Sequence, residues 1–113
     1  MRIPSWIGTQ VGDRVGLSVG TVQDVYFDQS TSQPAWLLVN VRDRLVLVPA
    51  DGALSWNERV VVGVDRELID ASPTVAAPPA VLAGEPLLRL ARHYRVRVDR
   101  CAAAGRTHVG LAA

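Results

Sequence analysis

At 113 residues the chain has room for one domain with a modest core and too little length for two. A formal charge of +1 gives no overall pull toward nucleic acid, and no apolar run approaches the roughly 20 residues that cross a bilayer. Cys101 is the single cysteine, which excludes an intrachain disulfide, and MRIPSWIGTQVGD has no apolar core ahead of a cleavage site, so a soluble cytoplasmic protein is expected.

The charge is unevenly spread. Residues 1–84 hold six arginines against nine carboxylates and residues 85–113 hold six against two, an acidic body with a basic tail. Lysine is absent, which fits a GC-rich coding bias better than a chemical demand.

The main core-forming residues are expected between Val11 and Leu68. Val11 to Leu17 makes a weak strand interrupted by Gly12 and Gly16. Gly20 to Asp28, GTVQDVYFD, is rich in strand formers, and Asp28, Ser30, Thr31, Ser32 and Pro34 supply a turn. Its apolar parity changes between Val22 and the pair Val25 and Phe27. Either a bulge sits near Asp24 or both faces are covered, and a bulge there would point Val25 and Phe27 inward.

The returning arm, AWLLVNV, sets Ala35, Leu37, Val39 and Val41 on one face and Trp36, Leu38 and Asn40 on the other. The first set is expected in the core, leaving Trp36 and Leu38 facing outward. Arg42 to Arg44 form a charged turn before LVLVP, which Pro49 ends. A turn at Asp51-Gly52, a short piece from Ala53 to Trp56, a turn at Asn57-Glu58 and the run RVVVGV complete a series of short strands. Such spacing predicts an all-β barrel or sandwich.

Asp65 is placed to cap a short helical turn running through Leu68 to Asp70, with Pro73 as its stop. Residues 75–84, VAAPPAVLAG, read as a stiff linker. A helix is expected over 85–95, with Leu87, Leu88, Leu90, Ala91 and Tyr94 on one face and Arg89, Arg92 and His93 on the other. Residues 96–113 show no sustained period and read as a loosely ordered basic tail.

Chemistry-bearing residues are sparse. Cys101, His93 and His108 have no recurrent metal spacing, and Asp24 and Asp28 stand roughly 13 Å apart along a strand, too far for a glycosidase-like pair. The glycines are isolated, so no loop cradles a phosphate. No catalytic, cofactor or metal residues are assigned, and a non-enzymatic chain is expected.

GTVQDVYFD, PAWLLV, LVPADGA, RVVVGVDRELIDASPTV and the final HY together resemble the PRC-barrel domain, over roughly Val11 to Tyr94. The family includes the cytoplasmic domain of the reaction-centre H subunit and the C-terminal domain of a ribosome-maturation factor. The resemblance implies a small, highly bent β-barrel that acts as a binding or assembly module, with the barrel in residues 1–74. The turn at Arg42 to Arg44 lacks the glycines that often open that loop in the family.

Outward-facing Trp36 and Leu38 need a cover. Burying each contributes roughly 1.5–3 kcal/mol, enough to dock the C-terminal helix or to form a dimer. Trp36, Leu38, Leu87, Leu90 and Tyr94 are therefore the candidate partner surface, with a homodimer expected. The alternative is RNA or ribosome-associated binding through Arg92, Arg95, Arg97 and Arg100, with Arg89 and Arg106 beside them.

Overall fold

The computed structural model describes residues 6–96 and 104–106. Strands β1 (Gln10–Gly12), β2 (Ser18–Asp28), β3 (Pro34–Val41), β4 (Arg44–Pro49), β5 (Leu54–Trp56) and β6 (Arg59–Val61) precede helix α1 (Arg66–Asp70). Strand β7 (Val81–Leu82), helix α2 (Gly84–Tyr94) and strand β8 (Ala104–Arg106) follow.

The first six strands lie in the order β4-β3-β2-β1-β6-β5. Neighbours are antiparallel except β1 and β6, which run parallel. This is a mainly β, bent, barrel-like sheet in which β4 and β5 do not pair, so the ladder stays open. Strand β2 is the spine. Along one side it pairs with β3, while its other side takes β1 near the start and β8 near the end.

A bulge does sit near Asp24. Val22 faces Val39 and Asp24 faces Leu38, leaving Gln23 as the extra residue, and a second shift lets Tyr26 face Trp36 while Phe27 faces Pro34. The first shift turns Val22 and Val25 both inward despite their opposite parity; both are buried, with Tyr26 beside them. Phe27, expected inward, is half-buried. Ala35, also expected in the core, is half-buried because it is the extra residue of the second shift.

Trp36 and Leu38 do not face solvent. Each is 2% exposed, so both faces of β3 are covered within the chain. Helix α2 supplies the second cover: Leu87, Leu90, Ala91 and Tyr94 are buried at helical spacing, and the Tyr94 ring lies 6.0 Å from the Trp36 ring. Arg95 closes α2 in the left-handed conformation, its N–H donating back to Arg92.

The expected strand from Val11 to Leu17 stops at Gly12, because Asp13 turns the chain. The segment expected as a linker is pinned to the body. The Val75 amide donates to the Leu45 carbonyl, the Tyr26 hydroxyl donates to the Pro79 carbonyl at 2.6 Å, and Leu82 is buried. Within the expected loose tail, residues 104–106 form β8 against β2 and β7.

Gly20 marks the tightest crossing. A Cβ built there would lie 2.0 Å from the Asn40 carbonyl oxygen of β3, so no side chain fits without parting the two strands. Gly20→Ala is expected to lower unfolding stability by at least about 2 kcal/mol, read from denaturant melts, because the clash is with backbone.

Candidate partner-binding surface

The five apolar residues expected to meet a partner have been brought together, but inside one chain. Trp36, Leu38, Leu87, Leu90 and Tyr94 belong to a single buried cluster. The Tyr94 hydroxyl and the Ser72 Oγ are buried beside one another without completing a hydrogen bond of good geometry. Burial pushes the Tyr94 phenol up to about 12, with the Ser72 hydroxyl and the positive charge of Arg44 opposing it more weakly.

His93, expected as a solvated helix-end residue, is half-buried. Its Nε2 donates to the Leu68 carbonyl at 2.7 Å, and its ring meets Tyr94 edge-on at 4.7 Å. The imidazole thus ties α2 to α1. Arg92 and Arg95 are exposed, together with Arg89, and form no salt bridge among the described residues. Arg97 and Arg100 lie outside the described residues.

The surface that remains apolar and open is elsewhere. Leu54 and Trp56 of β5 are 67% and 66% exposed. Trp56 stands opposite Arg59 on β6, so the two side chains share the outer face of the sheet. The Arg59 guanidinium donates to the Gly16 carbonyl at 3.1 Å, which brings the turn from Asp13 to Leu17 toward that face with Val15 and Leu17 exposed. Sequence reading expected a short strand piece from Ala53 to Trp56 but gave it no partner role, because three residues carry no period. The usable signal was a Trp and a Leu at alternate positions between two turns.

Asp13 shapes the turn. Its buried carboxylate accepts the amides of Val15 and Leu17 at 3.0 and 2.8 Å through Oδ1 and that of Arg66 at 3.1 Å through Oδ2. The last of these satisfies a free donor at the start of α1, a service expected of Asp65. Asp65 instead pairs with Arg14 and makes no side-chain cap. Burial works to raise the Asp13 pKa, but the backbone amides of Leu17, Arg66, Val15 and Gly16 outweigh it and hold the group low.

A separate cleft of about 420 Å³ is lined by Trp36, Pro49, Asp51, Tyr94 and Arg95 among others. The nearby Asp28 carboxylate is engaged by the hydroxyl and amide of Ser30 and the amide of Thr31, which keep its pKa low. Among the described residues no three His, Cys, Asp or Glu side chains gather as a metal site, and no helix is long and apolar enough to cross a membrane.

The PRC-barrel domain model matches residues 1–74, nearly two thirds of the chain. The chain belongs to the PRC-barrel family. No curated relative matches it in sequence. The match ends at Thr74, so this PRC-barrel seals its Trp36 with a helix from outside the matched segment. The open β5 surface and the Asp13 turn both lie within the matched barrel.

Two pH responses follow from these environments. The depressed pKa of Asp13 contributes stability that is present above its unfolded value near 3.8 and lost as pH falls through the lower folded value. Asp13→Ala leaves three amides unpaired and should lower stability at neutral pH by at least about 2 kcal/mol, with the deficit shrinking below about pH 4 in acid titrations followed by circular dichroism. Tyr94 acts in the opposite direction: its stabilising neutral form is complete below pH 10 and is lost as pH rises toward about 12. Tyr94→Phe should keep neutral-pH stability and remove that share of the alkaline loss, seen in melts between pH 9 and about 12.

Proposed function

We propose that this PRC-barrel protein is a non-catalytic assembly module that associates with itself as a homodimer and works in the cytoplasm. The observation that carries the reading is the pair of exposed apolar side chains, Leu54 and Trp56, with Val15 and Leu17 exposed on the nearby turn, on a barrel whose Trp36 face is closed by its own helix. A membership shared with binding and assembly modules supports the class, and the single cysteine supports a reducing compartment. The partner surface expected at Trp36 and Leu38 is replaced in this reading by the β5 face.

Sedimentation velocity from about 1 to 500 μM should show mass rising from monomer to dimer, and Trp56→Glu should hold the monomer over the whole range. Wild-type protein that stays monomeric throughout contradicts self-association.

A second reading rests on Arg89, Arg92 and Arg95, three exposed arginines along and just after α2 without ion-pair partners among the described residues. They support weak binding to RNA phosphates. Titration of a structured RNA should then show affinity falling severalfold between about 50 and 200 mM salt and reduced by Arg92→Glu; no binding at the lower salt removes this reading.

A further inference from the structure

The two ends of the sheet are not alike. At β4 the edge is occupied: Val75 donates to the Leu45 carbonyl, and the Arg44 guanidinium reaches the carbonyls of Asp70 and Ser72 and the hydroxyl of Thr74. At the other end β5 pairs only with β6, and no described strand lies beyond it. The loop between β5 and β6 is the two-residue Asn57-Glu58, with φ of 56° and 62°, the pattern of a type I′ hairpin.

That loop fixes which way the β5 backbone points. In a two-residue hairpin the flanking pair, here Trp56 and Arg59, exchanges both backbone hydrogen bonds, and pairs then alternate along the ladder. Ser55 and Val60 form the next pair, which is not hydrogen-bonded. The N–H and C=O of Ser55 therefore point away from β6 toward the open edge. Leu54, Ser55 and Trp56 include no proline, charge or bulge, the usual guards of an edge strand.

We infer that two copies join through β5, paired antiparallel about a two-fold axis at Ser55. This rests on the self-association reading and supplies its geometry. Ser55 then exchanges two backbone hydrogen bonds with the partner's Ser55. Leu54 lies opposite the partner's Trp56, and Trp56 opposite the partner's Leu54, in the close non-hydrogen-bonded pairs of the new ladder. The occupant has to be an extended strand with apolar side chains on both sides of a hydrogen-bonding position. Strand β5 meets that description itself, and the pairing is isologous.

The area sets the strength. A leucine and a tryptophan on the outer face, each about two-thirds exposed and only partly covered by edge-to-edge pairing, together with the strand edge bring at most roughly 400 Å² per copy or about 800 Å² in total. This falls short of the approximately 1,200 Å² at which specific stable interfaces begin, so the dimer is reversible and forms in the micromolar range or above.

Three variants test the pairing by sedimentation velocity and oxidative cross-linking. Ser55→Pro removes the outward N–H without touching the bonds to β6, and should weaken dimerisation at least about tenfold while the thermal melt keeps a cooperative transition. In a Cys101→Ser background, Ser55→Cys should yield a covalent dimer under mild oxidation, whereas Ser30→Cys, on the turn after β2, should not. Should Ser55→Pro fail to fold, the cross-linking pair decides alone. A wild-type dimer that gives no Ser55→Cys cross-link in excess of Ser30→Cys overturns the β5 geometry while leaving self-association standing. A wild-type chain that is monomeric at every concentration overturns both.

Discussion

A single strand has to serve too many neighbours, and the barrel is organised by how β2 manages it. Eleven residues long, it meets β3 along one side and both β1 and β8 on the other. A regular strand of that length would present one flat face to the core. Two register shifts and the Gly20 contact with Asn40 bend it, so that Val22 and Val25 both reach the interior. The parallel pairing of β1 with β6 follows from that path, because β1 is held against the start of β2 and carries β6 and β5 beyond it.

The second apolar face of β3 is the other organising demand. In a bare barrel, Trp36 and Leu38 would remain in water, costing a few kcal/mol of unrealised burial. Helix α2 supplies the cover from within the chain, fixed at its far end by the bond from His93 to the Leu68 carbonyl. The seal is dominated by apolar contact. The Tyr94 hydroxyl sits there beside the Ser72 Oγ without a completed hydrogen bond.

The local features were legible in the sequence, and the long-range ones were not. The parity change between Val22 and Val25 announced the bulge, and the spacing of Leu87, Leu90, Ala91 and Tyr94 announced the buried face of α2. That Trp36 and Leu38 need a cover could be read from AWLLVNV; that the cover lies in the same chain depends on a contact 58 residues away and leaves no periodic trace. Asp13 was missed as the organiser of its turn because a buried aspartate between glycines looks like any turn residue until Arg66 arrives from across the fold. The exposure of β5 depends on the whole strand order, which no window of a few residues contains.

The clamp made by Arg44 lies where the matched barrel ends. One planar guanidinium gathers acceptors from Asp70, Ser72 and Thr74, so the chain leaves the barrel from a fixed point and in a fixed direction. The path of everything after Thr74 starts from that anchor, so the clamp sets the angle at which the helical seal returns over Trp36.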